Sequence, residues 1–141
     1  LRLKSGTKVQ TLISYDEYQI ADLILTIKKH LTPDLLAPEF RDINKTNPMY
    51  GHCYVASEAL WHMVDWPSKV KIRCGKDENG IVHWWLRDVQ SGTLFDATSE
   101  QYTQDGKEPP YYDEKSATFL TQEPSARARE LIERVKNDYT S

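Results

Sequence analysis

The sequence has too few cysteines for a disulfide scaffold and no apolar run long enough for a membrane protein. Only two of its 141 residues are cysteine, at positions 53 and 74, and two cannot form such a scaffold in a chain of this length. No apolar run approaches the roughly 20 residues that a membrane-spanning helix needs. We therefore expect reduced thiols, no membrane association and a cytoplasmic location.

An excess of basic charge is also absent. The chain has 18 lysine and arginine residues against 21 aspartate and glutamate residues, which gives a formal net charge of −3. This balance gives no support to broad binding of a nucleic-acid backbone, and the sequence has no glycine-rich loop that would cradle a phosphate. Hydrophobic residues make up 39% and charged residues 28%, as in ordinary globular proteins. We predict a single domain over residues 1–141, with no cofactor and no nucleic-acid partner.

Hydrophobic periodicity predicts helices before and after a small antiparallel sheet, which is an α+β fold. Ser14 and Glu17 match a capping box, after which apolar residues recur at helical spacing. Strands are predicted where β-branched and aromatic residues alternate with polar ones. The predicted helices cover residues 14–31, 52–64 and 124–138, the predicted strands cover 69–74, 81–88 and 93–98, and a long surface excursion covers 99–120.

The stretch "GHC", residues 51–53, places a cysteine where the second helix begins. Unpaired N–H groups and partial positive charge at a helix N-terminus favour the thiolate form of such a cysteine. Gly51 allows the close backbone approach and unusual dihedral angles that a tight turn into a helix often needs. Free cysteine is also one of the most buried residue types, so Cys53 taken alone would more often be structural. Cys74 shares its strand face with apolar residues and is expected in the core.

His83 and Asp96 are the second and third candidate site residues. If the strands over 81–88 and 93–98 pair through a two- or four-residue loop, residue 83 lies opposite residue 98. Asp96 then becomes a diagonal neighbour of His83 on the same sheet face, about 7–8 Å away between backbones. A three-residue loop would place the two side chains on opposite faces. In the first register, a carboxylate can orient an imidazole that takes the proton of Cys53.

These three motifs together resemble a known family. "GHC" opening a helix, "HWWLRD" (83–88) in a strand and "LFDAT" (94–98) at the end of the next strand resemble the transglutaminase-like branch of the papain-like cysteine enzymes. The resemblance covers roughly residues 47–98, and "DAT" stands where that branch more commonly has "DPT". It implies that Cys53 is the nucleophile, His83 the base and Asp96 the orienting acid.

The chain is also similar to small bacteriophage proteins that have no established activity. The shared stretches are "HCYVASEAL" (52–60), a central "HWW"-like strand and "FLTQEPS" (119–125) before the last helix. This likeness extends over more of the chain but implies no reaction. If the protein is phage-encoded, its expected location is the cytoplasm of the host.

An oxyanion hole and a substrate-binding wall would complete a site of this type. The backbone N–H of Cys53 is one predicted oxyanion donor. Papain-like enzymes usually take a second donor from an upstream side-chain amide, and Asn47 lies at a suitable distance before the cysteine. His52 is a further candidate donor. Trp85 shares the strand face of His83, and we predict that it lines the binding cleft.

Two other sites can be built from the same residue types. His52, Cys53, Cys74 and His83 together have the donors of a Cys₂His₂ zinc site, but no C-x-x-C or H-x-x-x-H spacing is present, so no metal is predicted. "PPYY", residues 109–112, matches the P-P-x-Y pattern that aromatic grooves recognise, although so short a match is common by chance.

The predicted function follows from the three motifs. The chain is expected to be a cysteine-dependent hydrolase or acyl transferase with a papain-like fold, which attacks an amide bond through a thioester intermediate. Its substrate would be a protein, a peptide or a small amide. The alternative is a non-catalytic phage-type binding protein that retains the fold and sequesters a host protein or small molecule.

Overall fold

The structure is a computed structural model that describes residues 3–4, 8–9, 12–36, 38–41, 45 and 51–140. It combines α-helices with a four-stranded antiparallel sheet, so the predicted α+β class is confirmed. The helices are α1 (Glu17–Lys29), α2 (Cys53–Met63), the short α3 (Glu100–Thr103) and α4 (Ala126–Thr140). In the part of the chain that is described, no helix is both long and apolar enough to cross a membrane.

The described strands are β1 (Leu3–Lys4), β2 (Lys8–Val9), β3 (Ile13–Ser14), β4 (Val64–Asp65), β5 (Val70–Lys76), β6 (Val82–Asp88), β7 (Leu94–Phe95) and β8 (Lys115–Ser116). The main sheet has the strand order β7-β6-β5-β8, and each neighbouring pair is antiparallel. Two smaller pairings lie outside it: β1 with β2 is antiparallel, and β3 with β4 is parallel.

The register of β6 and β7 decides where His83 and Asp96 lie. Leu86 pairs with Phe95 and Arg87 pairs with Leu94. The same register, extended along both segments, places residue 83 opposite residue 98. The predicted register, which turns residues 83 and 96 to the same face, is therefore confirmed. The strand itself is shorter than predicted, because β7 ends at Phe95 and Asp96 follows it.

One face of the sheet packs against the three longer helices. Buried apolar side chains of α1, α2 and α4 join Val70, Leu86 and Phe95 of the sheet in a single core. Burial of such surface contributes roughly 25 cal/mol per Å², so this core supplies the main stabilisation of the fold. The helical members are Ile20, Leu23, Ile27, Val55, Ala56, Ala59, Leu60, Met63, Ala128, Leu131, Ile132 and Val135.

The first helix begins later than its sequence pattern predicts. Ser14 is in β3, which pairs with β4, and is therefore not available as a helix cap. Asp16 is the N-cap instead, and its carboxylate accepts a hydrogen bond from the backbone N–H of Gln19 at 3.0 Å. Aspartate and serine are about equally favourable N-cap residues, so Asp16 serves as the cap without a loss of helix stability.

The prediction of a long surface excursion over 99–120 is wrong. The segment contains α3 and β8, and β8 adds a fourth strand to the sheet beside β5. Tyr102, Pro109 and Pro110 are buried within it. Local periodicity gave no sign of this, because contacts with strands distant in sequence hold the segment in place.

Gly75 allows the backbone around Pro110 to lie directly on the sheet. A Cβ atom at position 75 would lie 2.7 Å from the carbonyl oxygen of Pro110, 3.0 Å from that of Asp113 and 3.1 Å from the Trp85 ring. Backbone oxygens move only if the whole segment shifts, so we predict that Gly75→Ala lowers the free energy of unfolding by about 2 kcal/mol.

Urea denaturation followed by circular dichroism would measure this loss. Lys71→Ala, at an exposed position of the same strand, is the control and is expected to change stability by less than about 0.5 kcal/mol. Equal stability of the two variants would show that the segment does not depend on close approach at position 75.

Candidate active site

Among the described residues, part of the β6 edge that faces β7 has no strand partner. The backbone N–H of Asp88 donates to the carbonyl oxygen of Thr93 at 2.9 Å, so the even-numbered residues of β6 direct their backbone polar groups towards β7. Because β7 ends at residue 95, the carbonyl groups of Val82 and Trp84 point along this edge beyond the last pairing with β7.

Side chains of α2 satisfy these two carbonyl groups. The thiol of Cys53 donates to the carbonyl oxygen of Val82 (Sγ–O 3.6 Å), and the hydroxyl of Ser57 donates to that of Trp84 (3.1 Å). Four residues along a helix rise about 6 Å. Two residues along a strand rise about 6.6 Å, so the donors and acceptors match in spacing. Helix α2 therefore runs beside the open part of β6 and places Cys53 next to residues 82 and 83.

Gly51 makes the tight turn into α2 possible. Its φ angle is +84°, and a Cβ atom there would lie 2.9 Å from side-chain atoms of both Leu36 and Phe40. Both properties expected of this glycine are confirmed. Cys53 is the first residue of α2, so the helix itself provides no acceptor for its N–H group.

The imidazole of His83 bonds to the carboxylate of Asp96. Nε2 lies 2.7 Å from Oδ2, and the two side chains are 0% and 4% exposed, respectively. A carboxylate oxygen accepts, so Nε2 is the protonated nitrogen of this pair. The other ring nitrogen, Nδ1, is buried and has no hydrogen-bond partner among the described residues. The predicted contact between His83 and Asp96 is confirmed.

Four donors surround the carboxylate of Asp96. Oδ1 accepts from the backbone N–H of Thr98 at 3.0 Å and from its hydroxyl at 3.4 Å. Oδ2 accepts from the Tyr111 hydroxyl at 2.7 Å as well as from His83. Both oxygens are thus held in fixed directions.

The electrostatic environment of His83 favours its charged form. Burial by itself lowers the pKa of His83. The hydrogen bond to Asp96, the neighbouring thiol of Cys53 and the negative charges of both groups outweigh burial and raise that pKa to about 10. An imidazole in this setting readily takes up a second proton at Nδ1 at neutral pH, and the resulting positive charge favours an anion beside it.

Trp85 lies on the same face of the sheet as His83, as predicted, but the prediction that it lines a binding cleft is wrong. The two rings stack at 5.8 Å, and Trp85 has no exposed surface. Its indole N–H donates to Glu114 at 3.1 Å, because the 109–114 segment covers this face of the sheet. Trp85 therefore packs behind the imidazole. The ring of Tyr102 contacts His83 edge-on at 5.0 Å.

The two predicted oxyanion side chains have different outcomes. Asn47 lies outside the described residues. His52 is wholly buried, and burial lowers its pKa to about 4, so it is neutral at pH 7. Neither of its ring nitrogens bonds to a described residue. A neutral imidazole has one N–H to donate, and the role of His52 stays a prediction.

Sequence reasoning missed Tyr111 and Thr98 as members of this cluster. Tyr111 belongs to the "PPYY" stretch, which resembled a recognition motif. In the structure both prolines are buried and the Tyr111 hydroxyl is bonded to Asp96, so the motif is not presented to a partner. Thr98 was visible as the residue opposite His83, but its bonds to Asp96 arise from the turn that follows β7.

Other potential sites are less well supported. Among the described residues, no group of three or more His, Cys, Asp or Glu side chains is arranged to hold a metal ion. A pocket with a volume of about 420 Å³ lies away from Cys53, and its lining includes Trp61, Trp66 and Ile72. None of the three candidate site residues contributes to it.

Comparison with known proteins gives no family for this chain. No family model, no curated protein and no solved structure matches it. The chemistry of the site therefore has to be argued from its own geometry.

Proposed function

We propose that this protein is a papain-like, transglutaminase-like cysteine enzyme that hydrolyses an amide or transfers its acyl group. The observation that carries the proposal is the 2.7 Å hydrogen bond from His83 Nε2 to Asp96 Oδ2, beside a cysteine that begins a helix. The bond leaves Nδ1 as the nitrogen that can exchange a proton with Cys53. A nucleophile, a base and an orienting acid are the parts that such chemistry needs.

The first step is formation of an ion pair. The proton of the Cys53 thiol moves from Sγ to Nδ1 of His83, which gives a thiolate and an imidazolium. The raised pKa of His83 favours this transfer. The partial positive charge at the start of α2 favours the thiolate in the same way.

The thiolate then attacks the carbonyl carbon of the amide. The C–S bond forms while the carbonyl π electrons move to oxygen, and the N–H of Cys53 is the first donor to that oxyanion. His83 gives its Nδ1 proton to the amide nitrogen, the C–N bond breaks and an amine leaves. Cys53 now carries the acyl group as a thioester.

A second nucleophile completes the cycle. Water or an amine gives a proton to Nδ1 of His83 and attacks the thioester carbonyl carbon, after which the C–S bond breaks. Water gives hydrolysis and an amine gives acyl transfer. Cys53 has 7% of its surface exposed and His83 has none, so a slender acyl group fits this access better than a bulky one.

Site-resolved alkylation tests the proposal. Iodoacetamide is expected to modify Cys53 at pH 6 at least about tenfold faster than Cys74, because a thiolate reacts and a thiol does not. Burial raises the pKa of Cys74, which makes it a slow internal reference. Peptide mass spectrometry reports both rates.

A burst assay tests the thioester step. With 4-nitrophenyl acetate, a stoichiometric burst of nitrophenolate is expected, and Cys53→Ala should abolish it.

The alternative, a non-catalytic binding protein, is favoured by the burial of this cluster, since buried polar networks also specify a fold. It predicts that Cys53 reacts no faster than Cys74 and that 4-nitrophenyl acetate gives no burst. That result would remove the catalytic proposal.

A further inference from the structure

Tyr111 approaches the candidate site from a segment that sequence analysis did not connect with it. Its hydroxyl donates to Asp96 Oδ2 at 2.7 Å, the same oxygen that accepts from His83 Nε2 at 2.7 Å. We propose that Tyr111 is a positioning residue, which holds the Asp96 carboxylate in the orientation that supports His83. This inference rests on the proposed function, and its test can contradict the role of Tyr111 without contradicting that function.

The backbone that carries Tyr111 is anchored opposite His83. In the register of β5 and β6, Gly75 pairs with His83, and the absence of a side chain at Gly75 allows Pro110 to lie against the strand. The backbone N–H of Lys76 donates to Asp113 Oδ2 at 2.9 Å, which anchors the same turn to β5. The position of the Tyr111 hydroxyl is thus set by the sheet and does not depend on a mobile side chain.

Aromatic packing fixes the Tyr111 ring. It meets the buried Trp85 ring edge-on at 5.0 Å, and Trp85 in turn stacks on His83. Burial and the charge of Asp96 hold the pKa of Tyr111 far above its ordinary value, so the hydroxyl remains a neutral donor. A neutral donor partly offsets the carboxylate charge without competing for the imidazole proton.

Loss of this hydroxyl should make the thiolate of Cys53 harder to form. Asp96 would keep its Thr98 contacts at Oδ1, but at Oδ2 only the bond to His83 would remain, so the carboxylate would be free to rotate out of the orientation that supports the imidazole. A weaker contact between Asp96 and His83 stabilises the imidazolium less, which raises the pH at which Cys53 becomes reactive.

The experiment is the pH profile of Cys53 alkylation by iodoacetamide in Tyr111→Phe. The midpoint is expected to rise by about one pH unit, which is about a tenfold slower reaction below the midpoint. Tyr112→Phe is the matched control, because Tyr112 is the next residue and 70% exposed, and its profile should equal that of the wild type. In an Asp96→Asn background, Tyr111→Phe should cause no further shift.

The outcomes separate the two proposals. An ordinary thiol midpoint in the wild type overturns the proposed function. A low wild-type midpoint that Tyr111→Phe leaves unchanged, or an equal shift in the Asp96→Asn background, overturns the role of Tyr111 alone.

If Tyr111→Phe does not fold, 3-fluorotyrosine at position 111 keeps the ring and gives a more acidic hydroxyl, and it should lower the midpoint. An unchanged midpoint with 3-fluorotyrosine also overturns the role.

Discussion

His83→Gln is expected to slow the alkylation of Cys53 at pH 6 by about 100-fold. Glutamine keeps an N–H donor for Asp96 but cannot accept the proton of the thiol or carry a positive charge beside it. Cys53 would then lose both the base that takes its proton and the positive charge that favours its thiolate. The rate would be measured by mass spectrometry of the Cys53 and Cys74 peptides from one sample.

The Cys74 rate serves as the control within that experiment. It should be the same in the wild type and in His83→Gln, which would show that the variant does not change the exposure of the half-buried Cys74 thiol. A Cys53 rate that is also unchanged would mean that the imidazole does not activate this thiol.

The same variant carries a prediction about pH and stability. The pKa of His83 rises from an ordinary 6.5 to about 10 in the folded protein. Protonation of His83 therefore stabilises the folded state fully below pH 6.5, and this contribution is lost as the pH rises towards about 10. Between these values, the free energy of unfolding of the wild type should fall more steeply than that of His83→Gln.

Glu58→Ala is expected to lower the free energy of unfolding by about 3 kcal/mol. Glu58 lies on α2, is wholly buried and accepts two hydrogen bonds from Ser125, one from its backbone N–H and one from its hydroxyl, both at 2.7 Å. Ser125 directly precedes α4, and its hydroxyl accepts from the N–H of Ala128 at 3.3 Å. The carboxylate thus stabilises the positive end of α4 and joins two helices of the core.

Urea denaturation would measure this effect. Glu130→Ala is the control, because Glu130 lies on the exposed side of α4 and pairs with Arg134 one turn later. Such a surface pair contributes about 0.3–0.5 kcal/mol. If the two variants lose equal stability, the buried carboxylate does not hold α4 in place.

Local patterns in the sequence determined the parts of the site that depend on neighbouring residues. The "GHC" stretch predicted a cysteine at a helix start with a glycine before it, because caps and left-handed turns are chosen within a few residues. Alternation in the strands predicted the parity that turns His83 and Asp96 to one face, since the side-chain period of a strand is two. The same alternation correctly placed Trp85 on that face.

Only the tertiary structure decided what covers the site. The sequence cannot show that β7 stops at Phe95 and leaves part of the β6 edge to α2, because strand ends depend on competing partners across the sheet. Tyr111 reaches Asp96 and Trp85 is enclosed because the 109–114 segment packs on a strand more than thirty residues earlier, where Gly75 makes room. The sequence therefore indicated Cys53, His83 and Asp96. The Tyr111 hydroxyl that bonds to Asp96 and the burial that limits access to the cluster come from non-local packing, which leaves no periodic pattern in the sequence.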